Sequence, residues 1–425
     1  MKKLLLFCVL LFSVSGIVLA VEAPAAVTPL AQCKSGSYVS FITSPDCSLT
    51  VSGLRFSIFY GRAYDVTGVS IGIVNETSND FVGAECGIVN TTKGSFSGVR
   101  SGFVNNSWNF TGVEQGFINT ASNVTGIRSG FINITDYLLN GAEIGFVNTA
   151  GTVNGYRAGF VNLTNGDVSG VEAGFVNTRK NLNGASLGFV NITEGDITGM
   201  QAGFVNTGKK LNGAMGGFVN LIDGDVRGYQ GGFVNGAKSI TGIQTGFVNV
   251  SDRLKGVQTG FVNICGDLEG VNLGVINILG GGFGKISVFS SVETLYNLAF
   301  KSGKEFYGII GAGYDHREAK YADKYTISTG LGYHGEIGAF FIDFEALSSA
   351  VSTNLNASFD WKTDLKQCSE VRLLPGVKIG ESFEIFAGPS VKYYSEGDIT
   401  KREAWNWSED KLKISAVAGV NVRVF

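Results

Sequence analysis

One eight-residue phrase, Gly-x-x-x-Gly-apolar-apolar-Asn, occurs fifteen times in this chain, beginning at Gly68 and ending at Asn277. Successive asparagines of the phrase lie 14 or 15 residues apart. This spacing is too short for a helical-hairpin repeat and long enough for one β-strand with its turn. About half of the chain is therefore predicted to be a β array. We expect any function to reside in a repeated surface rather than in a single pocket.

Composition supports a folded β protein. The 425 residues include 61 glycines and only 5 prolines, and 12% of the chain is aromatic. Disordered Gly-rich chains lack such aromatic and aliphatic content. The formal charge of −3 and the absence of a basic patch give no reason to expect a nucleic-acid partner.

Apolar and polar positions alternate with period two within each copy, as in a strand. We call the residue midway between the two glycines the centre. The residue four positions before the centre is apolar in every copy, as Val168 and Leu182 illustrate. Strict alternation predicts that the centre shares one face with the two glycines. Val171, Phe175 and Asn177 are predicted on the other face.

The first centres alternate in charge. After Ser70 they form a series that we call the charge ladder: Glu85, Arg100, Glu114, Arg128, Glu143, Arg157 and Glu172. Opposite charges on laterally neighbouring strands stabilise a sheet and like charges destabilise it, by up to about 1 kcal/mol per pair. The alternation therefore predicts that successive copies lie side by side, with their centres in contact.

Most of the later centres carry amides. After Ser186 comes a second series, interrupted once by Met215, which we call the amide ladder: Gln201, Gln230, Gln244, Gln258 and Asn272. We expect these side chains to pair amide to amide across neighbouring copies.

The turns between copies alternate as well. One set is acidic and Gly-rich, as in Asp223-Gly-Asp225, and the other is basic, as in Arg179-Lys180 and Lys209-Lys210. Gly, Asn and Asp here are ordinary turn residues. An antiparallel meander and a β-solenoid both accommodate this pattern. Because a long strand and a brief turn leave little chain for a return path, the lengths favour the meander.

The repeat ends near residue 280, but strand patterns continue through 281–425. Phe340, Ile342, Phe344 and Ala346 oppose Phe341, Asp343 and Glu345, and the segment from Tyr325 to Gly335 alternates similarly. Strands of about ten residues with one apolar side and one polar side are what a lipid-facing barrel wall requires. The fold class predicted is all-β: an antiparallel meander continuing into an outer-membrane β-barrel. The alternative is a β-solenoid with a smaller barrel of about eight strands.

The N-terminal residues resemble an export signal. Lys2 and Lys3 precede an apolar run that ends at Ala20, after which cleavage is expected. Residues 21–37 are predicted to be a tether, residues 38–67 to contain strands, residues 68–280 to form the repeat array, and residues 281–425 the barrel. Cys33 and Cys47 are close enough in sequence to form a disulfide in an oxidising compartment.

The repeat resembles a surface-repeat family of leptospires and other diderm bacteria. Copies in that family have the form Gly-apolar-Gln-apolar-Gly-Leu-Val-Asn, to which Gly256–Asn263 is similar, and the entry segment Gly53–Gly61 is similar too. The resemblance covers roughly residues 50 to 280 and implies an outer-membrane or cell-surface location. The C-terminal strand resembles the last strand of outer-membrane barrels, which commonly ends in Phe. Phe425 departs from that pattern because it shares a face with Arg423 and Asn421.

Catalytic patterns are lacking in the sequence. The two histidines, His316 and His334, have no second ligand at metal-binding spacing. The Gly-x-x-x-Gly matches lie in repeated strands with no following helix, so they are not phosphate-binding loops. We therefore predict a protein that is not an enzyme and that needs no metal or cofactor.

Two functional hypotheses remain open. The first is a non-catalytic structural or adhesin-like role at the outer membrane, with membrane lipid and host or cell-surface ligands as partners. The alternative is a passive pore whose lumen is lined by the centre residues. The many Asn-x-Ser/Thr sequences follow from the repeat itself and require no glycosylation.

Overall fold

The structure is a computed structural model, and it describes residues 38–40, 50–291, 294–316, 324–352, 366–394 and 412–425. All regular secondary structure in these residues is β-strand. The predicted signal segment, the tether and the Cys33–Cys47 disulfide lie outside the described residues. The chain divides into two compact units, residues 1–180 and residues 181–425.

The first unit is a stack of parallel strands. Its strands are β1 (Tyr38–Ser40), β2 (Thr50–Ala63), β3 (Asp65–Thr77), β4 (Phe81–Cys86), β5 (Val89–Ser101), β6 (Val104–Gln115), β7 (Ile118–Thr164) and β8 (Val168–Arg179). The longest of these, β7, runs through several repeats without interruption. Strand order in the sheet follows chain order, and β5 additionally pairs with β3.

The pairing register identifies a β-solenoid. Gly98 pairs with Gly112, and Arg100 pairs with Glu114, in a parallel arrangement offset by one repeat. Each repeat is therefore one coil, and the next coil lies directly above it. The antiparallel meander predicted from the turn lengths is wrong, and the solenoid alternative is confirmed. The return path exists because each repeat bends within its own length.

Two kinds of backbone site explain the paired glycines. The first glycine of each copy has a positive φ, for example 141° at Gly98, and a Cβ there would lie 1.8 Å from the Gly83 carbonyl oxygen. The second glycine packs against the repeat asparagines: a Cβ on Gly102 would lie 2.4 Å from Asn90 Nδ2. Only glycine fits either position when coils stack this closely.

Both faces of the predicted strand contribute to the interior. Val168, Glu172, Asn177 and Arg179 are buried in one coil, whereas Phe175 is exposed. The placement of Asn177 on the face opposite Glu172 was wrong. Five residues separate the two, and the chain reverses between them, which brings both side chains inside the coil.

The second unit contains further parallel coils and a closed barrel. The repeat strands are β9 (Leu182–Thr193), β10 (Asp196–Gly208), β11 (Lys210–Ile222) and β12 (Asp225–Leu279). Gly199 pairs with Gly184 on one side and with Gly213 on the other, both in parallel.

Eight antiparallel strands form the barrel, as the alternative prediction stated. They are β13 (Phe283–Ser291), β14 (Tyr296–Gly303), β15 (Phe306–Asp315), β16 (Lys324–Ile337), β17 (Phe340–Ser352), β18 (Lys366–Ile379), β19 (Phe383–Tyr394) and β20 (Leu412–Arg423). The barrel closes through β13 and β20, where Ser287 pairs with Asn421. The repeats do not belong to its wall, so the larger barrel with a lumen lined by centre residues is excluded.

Candidate functional sites

The charge ladder lies inside the coils of the first unit. Arg100 Nη2 is 2.6 Å from Glu114 Oε1, and Arg128 Nε is 2.8 Å from Glu114 Oε2. Longer contacts of 3.8 and 3.9 Å connect Glu143 to Arg128 and Arg157. All these side chains are fully buried. The structure thus brings the predicted centres together, inside the coils rather than on a surface.

Two arginines that the sequence interpretation missed extend the ladder. Arg55 Nη2 lies 3.2 Å from Glu85 Oε1, and Arg179 Nε lies 2.7 Å from Glu172 Oε2. Arg55 is the centre of an imperfect first coil, because Gly53 pairs with Gly68 and Arg55 with Ser70. Arg179 was assigned to a basic turn, but it points inward from the last strand position of its coil and is buried.

Aromatic rings and hydroxyl groups compensate part of the cost of burying these ions. The guanidinium of Arg100 lies 4.5 Å from the ring centroid of Phe96, and Arg100 Nη2 donates to Ser107 Oγ at 3.0 Å. Cation–π contacts strengthen when they are desolvated. Burial nevertheless raises the pKa of Glu85 to about 7, against the lowering influence of Arg100 and Arg55. Burial also raises the pKa of Glu143.

The repeat asparagines form a second internal series, which we call the asparagine ladder. In the first unit, Asn90 Nδ2 donates to Asn105 Oδ1 at 2.8 Å and also to the Ser101 carbonyl oxygen at 3.0 Å. The same side-chain bond, at 2.8–2.9 Å, links Asn191, Asn206, Asn220, Asn235, Asn249, Asn263 and Asn277 in the second unit. Asparagine occurs at this position in every copy of the repeat phrase, which could have indicated an internal ladder. The period-two alternation instead placed it on the face opposite the centres.

The amide ladder is a chain of hydrogen bonds in the second unit. Asn272 donates to Gln258, Gln258 to Gln244 and Gln244 to Gln230, at 2.6–2.9 Å. Gln230 completes the chain by donating to the carbonyl oxygen of Asn220 at 3.1 Å.

Gln201 is not part of this chain. The neighbouring centre is Met215, which pairs with Gln201 on one side and Gln230 on the other and is fully buried. Neither polar atom of the Gln201 side chain has a hydrogen-bond partner among the described residues. The structure therefore brings together four of the five predicted amides.

The barrel is apolar outside and charged inside. On β17, Phe340, Ile342 and Phe344 are exposed, whereas Asp343 and Glu345 are buried, as predicted. Across the interior, Lys301 Nζ lies 2.5 Å from Glu345 Oε1 and Lys285 Nζ lies 2.8 Å from Glu384 Oε1. Along β18, Arg372 Nη2 lies 2.8 Å from Glu370 Oε2. Tyr307, whose hydroxyl donates to Glu345, lies in the same interior.

A cavity of about 770 Å³ opens at the barrel end where the short turns lie. Lys285, His334 and Glu384 line it, together with residues near the β16–β17 turn. His334 Nδ1 is 2.5 Å from Asp343 Oδ1. The other histidine, His316, stacks on Tyr296 and Tyr314 at the opposite end of the strands.

Within the described residues, no three His, Cys, Asp or Glu side chains are grouped so that they could hold a metal ion. No helix long and apolar enough to cross a membrane occurs in the described part of the chain. No family model, curated protein or solved structure matches this chain.

Proposed function

We propose that this chain is a non-catalytic outer-membrane β protein. In this proposal the barrel of residues 283–423 anchors the protein in the bilayer, and the solenoid is a rigid structural or surface-interaction module. The observation that carries the proposal is the inverted polarity of the barrel. Leu298, Ile327 and Phe344 are half exposed or more on its outside, while Lys301 and Glu345 are buried inside. An apolar belt around a polar interior is characteristic of barrels surrounded by lipid.

The ion pairs that cross the barrel interior favour an anchor over a pore. An eight-stranded barrel is just wide enough for its own side chains to occupy the interior. The contacts of Lys301 with Glu345 and of Lys285 with Glu384 run across that space. We therefore expect no stepwise conductance when the folded protein is added to planar bilayers. Regular single-channel steps would favour the pore instead.

The connection lengths indicate which side of the membrane carries the repeats. The connections at one end of the barrel are short, at 304–305, 338–339 and 380–382, whereas residues 353–365 and 395–411 connect strands at the other end. Outer-membrane barrels place short turns toward the periplasm and long loops outside. Because the chain enters the barrel at Phe283, at the short-turn end, we expect the repeats that precede it on the periplasmic side.

Gel mobility of the full chain in detergent tests the anchor. A closed barrel is expected to migrate faster before boiling than after it. Gly388→Ala is expected to abolish this shift, because a Cβ there would lie 1.9 Å from the Leu373 carbonyl oxygen. Gly335→Ala is the matched control, since its Cβ would meet nothing closer than 3.6 Å. Identical mobility of the wild-type chain before and after boiling would contradict the proposal.

Labelling of intact cells tests the sidedness. A membrane-impermeant maleimide is expected to label a cysteine introduced between residues 395 and 411, but not Asp223→Cys in a repeat turn. Labelling at Asp223→Cys on intact cells would place the repeats at the cell surface and would favour the adhesin-like role.

A further inference from the structure

The repeats of the second unit carry an exposed column of aromatic rings, which we call the aromatic stripe. It contains Phe189, Phe204, Phe218, Phe233, Phe247 and Phe261, with 38–45% of each residue exposed. Neighbouring ring centroids are 4.8–5.0 Å apart and their planes are within 3° of parallel. The stripe is therefore roughly 24 Å long, given one coil per strand spacing.

The stripe occupies one bend of each coil. In the coil centred on Gln230, the buried residues are Val226, Gln230 and Asn235, and Phe233 lies between the last two where the chain reverses. The other reversal is the turn between coils, which carries the charged residues such as Asp223 and Asp225. Each coil thus has an aromatic bend and a charged bend.

Near the stripe, the two positions that flank each centre form further columns of equivalent residues in successive coils, and these carry no charge. The residues just before the centres are apolar: Ala185, Met200, Ala214, Tyr229, Ile243, Val257 and Val271. The residues just after them are apolar or small and uncharged: Leu187, Ala202, Gly216, Gly231, Thr245, Thr259 and Leu273. The phenylalanines alone expose about 500 Å², since one such side chain offers about 200 Å². A monomeric soluble protein rarely presents a contiguous apolar patch of this size with nothing to cover it.

Ring stacking alone does not account for this surface. Stacked aromatic pairs contribute about 0.5–1.5 kcal/mol each, so the column does stabilise the stack of coils. The same gain is available to buried rings, as at Phe96 and Phe110 of the first unit, whose centroids are 5.5 Å apart. The exposure of the stripe therefore calls for an apolar occupant.

The stripe runs into the outer wall of the barrel. Val275 occupies the stripe position of the last coil, and a Cβ on Gly308 would lie 2.4 Å from its carbonyl oxygen. Asn277 N–H donates to Ser302 Oγ at 2.8 Å, and Ser302 is the register partner of Gly308. These two small residues of the barrel give the last coil a place to pack.

The barrel surface next to this contact is the one assigned to lipid. Phe306 and Ile310, which flank Gly308 on β15, are 40% and 38% exposed. The aromatic stripe and the outside of the barrel therefore form one continuous apolar surface, at the barrel end that carries the short turns.

We propose that the aromatic stripe of the second unit inserts into the phospholipid bilayer, so that these coils lie on the membrane leaflet beside the short-turn rim of the barrel. This proposal rests on the proposed function, in which the barrel spans the bilayer. An elongated element with one apolar and one charged side lies in the interface in the same way as an amphipathic helix does. The charged turns then face water.

Fluorescence quenching in liposomes tests this placement. All six cysteines of the full chain (Cys8, Cys33, Cys47, Cys86, Cys265 and Cys368) are replaced by serine. A single bimane-labelled cysteine is then introduced at Phe218, and in a second variant at Phe233. Asp223→Cys provides the control on the charged turn, and Phe344→Cys, on β17, provides the control for the barrel. The liposomes contain phosphatidylcholine with or without brominated acyl chains, and iodide serves as the aqueous quencher.

We expect brominated lipid to reduce the emission from positions 218 and 233 at least two-fold and iodide to have little effect on it. The opposite pattern is expected at position 223, and position 344 should respond as position 218 does. Emission at 344 quenched by brominated lipid but at 218 and 233 only by iodide would overturn this inference and leave the anchor intact. Iodide quenching at 344 without lipid quenching would refute the anchor. Protection of 218 and 233 from both quenchers would show that protein, such as a second copy, covers the stripe, and would also overturn the inference.

Discussion

Single glycines decide whether neighbouring coils can approach each other. Gly217 is the second glycine of its copy, and a Cβ there would lie 2.0 Å from the Gly203 carbonyl oxygen and 2.5 Å from Asn206 Nδ2. Gly216, its neighbour in sequence, has nothing within 4 Å of the same hypothetical atom. The repeat phrase thus distinguishes glycines required by stacking from those that are incidental.

We expect Gly217→Ala to destabilise the second unit by about 2–3 kcal/mol, because backbone atoms of two coils must separate to admit the methyl group. Gly216→Ala is expected to change the free energy of unfolding by less than about 0.5 kcal/mol. Hydrogen exchange of residues 197–222 in the folded protein measures both. Equal effects of the two substitutions would contradict the stacking geometry.

Glu85 gives the first unit a pH-dependent stability. Its folded pKa of about 7 exceeds the ordinary value of 4.5, so the folded state holds this proton more tightly than the unfolded state. The free energy of unfolding should therefore fall as pH rises from about 4.5 to 7, by roughly 3 kcal/mol from this group alone. Glu85→Gln, which carries no titrating proton, should remove that part of the dependence.

The measurement for Glu85 is hydrogen exchange of residues 81–101 at pH 4.5, 6 and 7.5, corrected for the intrinsic rates. The wild-type chain should lose protection relative to Glu85→Gln as the pH rises. A difference between the two that stays constant over this range would show that Glu85 is ionised throughout.

At the scale of elements, internal hydrogen-bonded series hold one coil on the next. A coil of 14 or 15 residues is too narrow for a large apolar core, so most centres and the repeat asparagines bond to their counterparts in neighbouring coils. Side-chain bonds such as those linking Asn191, Asn206 and Asn220 pair the buried amide groups of successive coils. Leaving such a buried donor or acceptor without a partner costs about 1–3 kcal/mol.

The interruption of the amide ladder at Met215 offers a test of how much these hydrogen bonds between coils contribute to stability. Gln244→Met removes the hydrogen-bond partner of both Gln230 and Gln258. It should destabilise the second unit by about 1–3 kcal/mol. Met215→Gln should instead complete the amide ladder from Gln201 to Gln230. We therefore expect it to lower the free energy of unfolding less than Gln244→Met does. Urea unfolding of the repeats, followed by hydrogen exchange, compares the two. Greater damage from Met215→Gln than from Gln244→Met would contradict the ladder.

Much of this arrangement was predictable from the sequence. The alternating charges from Glu85 to Glu172 indicated side-by-side copies, and the alternation around Asp343 indicated a barrel wall. The direction of the repeat strands was not predictable in the same way. Lateral contact between centres is compatible with both directions. The deciding feature is the reversal of the chain inside each repeat, between the centre and the asparagine, which the period-two alternation does not reveal.

Arg55 and Arg179 were missed for a related reason. Arg55 lies in a copy whose second glycine is replaced by Ser57, so it falls outside the repeat phrase. Arg179 lies beside Lys180, and together they have the appearance of an exposed basic turn. The bend of the coil directs the Arg179 side chain inward, where it pairs with Glu172. The sequence alone does not show this direction.

At the scale of the whole molecule, the coils and the barrel share one distribution of polarity, with charged side chains inside and apolar side chains outside. The coils of the first unit bury charged side chains and expose apolar ones such as Phe160, and the barrel of the second unit does the same with Glu345 and Phe344. Water favours neither distribution, because exposed apolar area is costly and buried ions need partners. A bilayer around the barrel accounts for its exposed apolar side chains. The proposed function therefore depends on contact between the barrel wall and lipid.

A nitroxide scan along β17 tests that claim most directly. Single labels at positions 340 to 348 in the reconstituted full chain should alternate with period two. The outward positions 342, 344 and 346 should be accessible to oxygen but not to a water-soluble nickel chelate, and the inward positions 343, 345 and 347 to neither. Accessibility of positions 342 to 346 to the nickel chelate would show that the barrel wall faces water, and would contradict the account.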